Sequence, residues 1–430
     1  SLCDYFLLFF FSSRRRHTRS STVSWARKMC IRDSYKPIRI SEKVYWVGAI
    51  DWTIRDFHGY TTKRGSTYNA YLVLADKVTL VDTVKAPFRE EMLERIAGII
   101  DPREIDYIVS NHSEMDHSGS LREVIQKVRP ERVFASVMGV KALKEHFHIE
   151  DEITPVKDGE KLGLGNMQLS FMETRMLHWP DSMFSYLHED KLLFSQDAFG
   201  MHLATDERFA DEIKRDVIEF EAATYYANIL LPYSPLILKL LEKVAASGLD
   251  IQTVAPDHGP VGRKDLPWIL GLYKIWAEQK PTNKAVVLFH TMWHSTEKMA
   301  RAIEEGLTAG GAQVKVMSME SFHRSDVAYE VLNAGALIAG SATLNNNMLP
   351  AMADVLTYLK GLRPVNLIGA AFGSYGWSGE APKQVHDLLL EMKVDLIGDP
   401  LKAKYVPDRD TLQKCFDLGK AVAERLGEAV

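Results

Sequence analysis

Past residue 34 the chain falls into two regimes of hydrophobic and polar patterning. From Lys43 to Leu80 short runs rich in β-branched and aromatic residues dominate, among them "KVYWVGAI" and "YNAYLVLADKVTLVD". The second predicts a hairpin turning at Asp76-Lys77. Helical and strand patterns then alternate. "FREEMLERIAGII" spaces its apolar residues at a period near 3.6, as a helix does, and "IDYIVSN" reads as a buried strand that runs straight into His112. Another hairpin, "SMFSYLHEDKLLFSQD", turns at Glu189-Asp190 and ends at Asp197, while the strand "IQTVAPDHG" delivers His258 at its end. Together these elements predict a β-sandwich with helices outside and polar residues gathered where strands finish.

The second regime begins near "EQKPTNK", where Pro281 and Asn283 make a short linker. Strands "AVVLFH", "QVKVMSM", "GALIAGS", "NLIGAAFG" and "VDLIG" alternate with helices starting near Ser295, Asp326, Leu349, Glu380 and Asp408. Five strands each followed by a helix predict a doubly wound parallel sheet, with its ligand beyond the carboxyl ends of the strands. The predicted fold class is therefore α/β plus α+β, in units at 35–280 and 281–430, with no internal repeat between them. Residues 1–34 fit neither unit. "YFLLFFF" is far shorter than the about 20 apolar residues of a membrane span, and the arginines Arg14 to Arg16 follow it, the reverse of a signal peptide. The segment reads as a disordered leader or a sequence artefact, and it resembles translated sequencing adapter.

Composition narrows the function. The chain has 430 residues, 46% of them hydrophobic and 25% charged, the profile of a globular protein of about two to three domains. Fifty-two Lys and Arg stand against 57 Asp and Glu, so a net charge of -5 gives no electrostatic ground for binding nucleic acid. Cys3, Cys30 and Cys415 form no Cys-x-x-Cys pair, which excludes a disulfide framework and a tetrathiolate metal site. A reducing cytoplasm fits best, and no membrane partner is expected.

Candidate chemistry concentrates at strand ends. "NHSEMDHSG" packs His112, Glu114, Asp116 and His117 into six positions, and "LHWPDS", "SQDAFG" and "PDHGP" add His178, Asp197 and His258. Four imidazoles with three carboxylates suit non-haem iron better than a thiolate-rich or purely imidazole zinc site, although zinc stays open. In "HTMWHSTEKMA", Thr291, Ser295 and Thr296 put hydroxyls at a helix start, where the macrodipole favours a phosphate. By itself that loop is better explained by ordinary capping, and two further strand-end loops change the balance. "GSATLNN" and "AFGSYGWSGEA" end two further strands; their small residues allow close backbone approach, and Tyr375 and Trp377 can pack on a flat ring. His146 and His148 read as solvated surface, Met292, Met299 and Met317 as core filler, and Lys414 and Lys420 as an exposed helix face.

From about Tyr35 onward the chain resembles the flavodiiron proteins, which fuse a metallo-β-lactamase-like αββα sandwich to a flavodoxin-like unit. The resemblance rests on "DWTIRDFHGY", "RGSTYNAYL" and the His-x-Glu-x-Asp-His motif, one substitution from the His-x-His-x-Asp-His of the metallo-β-lactamase superfamily. It implies that His112, Glu114 and His178 bind one iron, Asp116, His117 and His258 the other, with Asp197 bridging. It also implies an FMN site. The first loop would contribute Thr291, Met292, Trp293, Ser295 and Thr296, the second Ala342, Thr343, Leu344, Asn345 and Asn346, and the third Ser374, Tyr375, Gly376, Trp377 and Gly379. His290 stands where the family frequently has Asp, and Ala342 where it frequently has Pro. Tyr226, in "ATYYANIL", is expected near the di-iron pocket, donating its phenol to substrate or serving in packing. The implied activity is reduction of dioxygen to water or of nitric oxide to nitrous oxide. A metallo-β-lactamase-type hydrolase with an accessory flavodoxin domain is the alternative. With Cys415 the one cysteine in this half, no rubredoxin module is expected there, so a separate rubredoxin, or a reduced deazaflavin, would donate electrons. The family's head-to-tail homodimer, or a dimer of dimers, would set FMN of one chain against the di-iron site of the other.

Overall fold

Two sheets face each other in the first half of the chain. The computed structural model describes residues 36–149, 152–264 and 266–430, so the reading of residues 1–34 lies outside the described residues. The first sheet runs, in spatial order, through Ile38–Arg39, Val44–Trp46, Tyr71–Val73, Thr79–Val81, Tyr107–Ser110, Arg132–Ser136 and Ile153–Val156. It is antiparallel up to Thr79–Val81 and parallel from there on. Tyr71–Val73 and Thr79–Val81 close the hairpin across Asp76-Lys77. The second sheet holds Lys161–Gly163, Gln168–Glu173, Met183–Leu187, Leu192–Gln196 and Thr253–Pro256. Leu187 lies opposite Leu192 in the hairpin around Glu189-Asp190.

Alternation of inward and outward residues leaves Trp46, Tyr71, Phe134, Leu169 and Phe194 between the sheets. Helices Arg89–Ala97 and Leu121–Val128 bury Leu93, Ile96, Leu121 and Val124 on the outer face of the first sheet. The result is a helix–sheet–sheet–helix sandwich whose strand ends share one edge.

The second half is a parallel sheet ordered Gln313–Ser318, Lys284–His290, Ala336–Ser341, Ile368–Tyr375, Asp395–Leu396. Its central strands are near-continuous apolar runs because both faces carry helices. Those helices are Ser295–Ala309, Arg324–Leu332, Pro350–Leu362, Ala381–Glu391 and Arg409–Ala429. Two details differ from the sequence reading. The last strand is split, with Leu401–Lys404 also pairing to Ile368–Tyr375, and the loop after Ala336–Ser341 folds into a small hairpin of Thr343–Leu344 and Asn347–Met348. Met299 and Met317 are fully buried, but Met292 is 44% exposed and is not core filler.

The halves share a core. Tyr226, Tyr273 and Trp276 from the first belong to one buried cluster with Val327, Val331, Met352 and Val355 from the second.

Candidate active site

The chemical side chains of the sandwich leave strand ends or the connections that follow them. His112 follows Tyr107–Ser110, Asp197 follows Leu192–Gln196 and His258 follows Thr253–Pro256. Glu114 is the extended cap of the short helix Met115–Ser118, which carries Asp116 and His117. His178 sits in the connection between Gln168–Glu173 and Met183–Leu187. All seven come together as two adjoining groups. Ligand-capable atoms of His112, Glu114, His178 and Asp197 lie within 4.8 Å of one another, as do those of Asp116, His117 and His258. Asp197 faces both groups: Oδ2 is 3.3 Å from His112 Nε2 and 3.1 Å from His178 Nε2, while Oδ1 is 3.2 Å from His117 Nε2 and 3.5 Å from His258 Nε2.

These atoms converge without satisfying one another. Both oxygens of Asp116 and of Asp197 and both nitrogens of His117 are buried and have no hydrogen-bond partner. Buried polar atoms rarely stay unpartnered, because the lost hydration is not returned. A cation in each group resolves the deficit, so the donor set fits two metal ions. The charges agree with this. Burial pushes the His178 imidazole down, yet the adjacent carboxylates of Asp197 and Glu114 outweigh it and raise it to about 9. The carboxylates thus create a field that demands positive charge.

An outer layer, unidentified as such in the sequence, aims the imidazoles. His258 Nδ1 donates to the Thr67 carbonyl at 2.6 Å, His112 Nδ1 lies 3.2 Å from Asp181 Oδ2, and His117 Nδ1 lies 3.4 Å from Asp257 Oδ2. In His258 and His112, with Nδ1 occupied, Nε2 presents its lone pair inward, whereas His117 faces Asp257 only at ion-pair distance. Asp181 is itself fixed by the Ser113 N–H at 2.6 Å and hydroxyl at 2.7 Å. Both aspartates adjoin a recognised histidine, in "LHWPDS" and "PDHGP", which was the available signal. His58 was missed too. Its Nε2 is 2.6 Å from Glu114 Oε1, and that hydrogen bond, opposed by burial, raises its pKa.

Of the two roles expected of Tyr226, it takes packing and lies away from the metal-ligand candidates. Its hydroxyl is 3.0 Å from Ser234 Oγ, and its ring packs 5.2 Å from Tyr273 and 5.4 Å from Trp276, within the core shared by the two halves. Tyr225 takes the position toward the site, 5.1 Å from the His202 ring and 6.1 Å from His258. Position 225 ends an α-helix and 226 begins a π-helical turn, so adjacent tyrosines face opposite sides. The His202 ring meets that of His258 edge-on at 4.4 Å, and its Nδ1 shares a 2.7 Å hydrogen bond with the Ser66 hydroxyl; burial keeps it neutral.

The second half carries a cavity of about 780 Å³ at the carboxyl ends of its strands. Met292, Trp293 and Ser295 line it from the first loop, Ala342, Thr343, Asn345 and Asn346 from the second, and Ser374, Tyr375, Gly376 and Trp377 from the third. Thr291, Thr296, Leu344 and Gly379 are not among its lining residues. Thr296 instead bonds Ser374 Oγ at 2.8 Å and is buried behind the loop. Tyr405 and Val406, after the split strand, complete the wall and were not foreseen. The helix Ser295–Ala309 opens onto this side, and the buried Thr291 hydroxyl has no partner. Free N–H groups, an unpaired hydroxyl and aromatic walls fit a flat cofactor ending in phosphate.

Comparison with known proteins agrees with this architecture. The ODP family beta lactamase pattern matches residues 67–259 and the flavodoxin pattern residues 287–419. The chain is 45% identical to a nitric oxide reductase of Moorella thermoacetica over 91% of this chain and all of that one. The solved rubredoxin oxygen:oxidoreductase of Desulfovibrio gigas superposes with a TM-score of 0.90 at 44% identity, covering 92% of this chain and 99% of the other. A flavodiiron protein from Giardia intestinalis gives 0.88 at 34% identity, over 92% and 97%. With a lactamase-like sandwich carrying two groups of potential metal ligands, a flavodoxin-like cavity, and full-length relatives of the same build, the chain belongs to the flavodiiron protein family.

Proposed function

We propose that the chain is an oxidoreductase that reduces dioxygen, nitric oxide or both, drawing electrons through FMN to a di-iron centre. The observation that carries the reading is the convergence of seven side chains on two adjoining points that share Asp197, in one chain with a flavodoxin-type cavity. When bound, two ferrous ions and a fully reduced FMN supply the four electrons that turn dioxygen into two waters, or twice the two that turn a nitric oxide pair into nitrous oxide and water.

In this reading His112, Glu114 and His178 hold one iron and Asp116, His117 and His258 the other, with Asp197 spanning both. Glu114, Asp116 and Asp197 set three negative charges against four positive ones, which limits the cost of burying the ions. The Thr67 and Asp181 contacts fix the orientation of the His258 and His112 imidazoles, so little reorganisation accompanies turnover. His58 can hold a proton at Nε2 beside Glu114, at the open side of the site. Phe57, Tyr225 and His202 close the other side and keep bulk water out. A hydrolytic role would leave the flavodoxin-type cavity without a task.

The flavin reading assigns the phosphate to Thr291, Ser295 and the helix start, and the ring to the loops of Tyr375 and Trp377. A rubredoxin-type donor is the partner, as the name of the Desulfovibrio gigas relative suggests. We further propose the head-to-tail homodimer. Trp293 and Trp377 are 85% and 87% exposed at the flavin cavity, and Met115, beside the metal ligands, is 58% exposed, so both mouths present apolar surface to cover. Among the described residues no helix is long and apolar enough to cross a membrane. The free, buried Cys415 thiol suits a reducing cytoplasm.

The test is anaerobic purification with metal and flavin analysis, followed by gas-electrode assays with a reduced rubredoxin. Two irons and one FMN per chain, with consumption of at least one gas, are expected. Two zincs, with activity restored by zinc alone, would replace the reductase by the hydrolase.

A further inference from the structure

The turn that carries His58 is held from the other half of the chain. Asp56–Phe57 and Tyr60–Thr61 pair as a hairpin whose tip, His58 and Gly59, has positive φ values of 52° and 82°. A hairpin this short is not stable by itself, so its position must come from its surroundings. On one side Phe57 rests 4.5 Å from the His202 ring. On the other stands the helix Arg324–Leu332 of the flavodoxin-like half. Arg324 Nε donates to the Gly59 carbonyl at 2.9 Å, and the Thr61 hydroxyl lies 2.9 Å from Ser325 Oγ. Arg324 is fixed in turn, with its guanidinium 5.2 Å from the Tyr358 ring centre and paired to Asp354. A Cβ on Gly59 would lie 2.6 Å from Arg324 Nη2, so turn and guanidinium are closely apposed.

We propose that Arg324 is a positioning residue for the metal site: by holding the carbonyl next to His58, it keeps the imidazole against Glu114. The planar guanidinium suits the task because Asp354 and Tyr358 preorganise it before it meets the turn. The flavodoxin-like half thereby shapes the metal site of its own chain, whatever route electrons take between chains. The effect on turnover rests on the reductase reading; the effect on the hairpin does not.

The test uses Arg324→Ala, Arg324→Lys, His58→Ala and the Arg324→Ala/His58→Ala double variant as holoenzymes with iron and FMN quantified. Hydrogen–deuterium exchange over residues 56–61 reads the hairpin directly, and loss of a charge-assisted hydrogen bond predicts about tenfold faster exchange in Arg324→Ala. Arg324→Lys, which keeps one donor but not the fork, falls between that variant and wild type. Gas turnover reads the consequence: kcat falls about tenfold with KM for the donor unchanged, and in the His58→Ala background Arg324→Ala causes no further loss. Should Arg324→Ala lose a cofactor, Arg324→Lys supplies the same readings on an intact protein. Unchanged exchange at 56–61, or a full further loss of turnover in the His58→Ala background, overturns the proposal. If wild type reduces neither gas, the reductase reading fails, and exchange alone decides whether Arg324 holds the hairpin.

Discussion

At the scale of single residues, the side chains behind the ligands matter nearly as much as the ligands. Asp181 holds His112 Nδ1 and is anchored by Ser113, so Asp181→Ala should weaken iron binding by roughly 10- to 100-fold. Chelator competition monitored by metal analysis measures this; unchanged affinity would show that His112 is oriented by something else. Glu221 offers a test by pH. Burial raises its carboxyl from 4.5 to about 7, against the opposing charges of Arg64 and Lys63. An acid whose pKa rises on folding contributes stability that is whole below its unfolded value and is lost as pH climbs through the folded one. Glu221→Gln removes that titration. Between pH 4 and pH 8, therefore, the stability difference should move in the variant's favour by roughly 3 kcal/mol, read by denaturant melts. The seven ligand candidates were legible because each stands at or near the end of a strand. The outer layer was not, since Thr67 and Asp257 come near their histidines only through tertiary folding. Tyr225 and Tyr226 show the limit most plainly: one step along a helix turns a side chain by about 100°, and the π-helical turn that begins at Tyr226 leaves no mark in "ATYYANIL".

At the scale of elements, hydrophobic period located most strands and helices, while local irregularities escaped it. The hairpins at Asp76-Lys77 and Glu189-Asp190 were readable because turn residues separate β-rich runs. The splitting of Asp395–Leu396 from Leu401–Lys404 was not, because pairing to a neighbour decides it, and so Tyr405 and Val406 were missed at the cavity. Helix contact sets the flavin loop. Ser295–Ala309 and Arg409–Ala429 approach so closely that a Cβ on Gly306 would lie 2.0 Å from the Phe416 carbonyl oxygen, and one on Gly419 2.2 Å from that of Ile303. Gly306→Ala must push the helices apart, a cost of about 1–3 kcal/mol by analogy with overpacked cores. The displaced helix start loosens the cavity. FMN content should fall while iron content holds, and a variant that lost both equally would place the damage elsewhere.

At the scale of the whole molecule, the two halves are mechanically joined yet chemically separate. Tyr226, Tyr273 and Trp276 share a core with the flavodoxin-like half, and Asn228 bonds the Tyr358 hydroxyl at 2.8 Å across the same boundary. That join fixes the relation between cavity and metal groups within one chain, while the exposed Trp293, Trp377 and Met115 leave both mouths available to a second. The role proposed for flavin and metals is to act as one four-electron store. It is tested most directly by fully reducing the holoenzyme, removing the donor, and mixing it anaerobically with a limiting pulse of dioxygen or, separately, of nitric oxide. Flavin and iron oxidation would be followed by absorbance and the products assayed. Flavin and iron are both expected to be oxidised, with dioxygen converted to water without hydrogen peroxide or nitric oxide converted to nitrous oxide. Oxidation of flavin alone, with peroxide formed from dioxygen and no nitrous oxide from nitric oxide, would contradict that role.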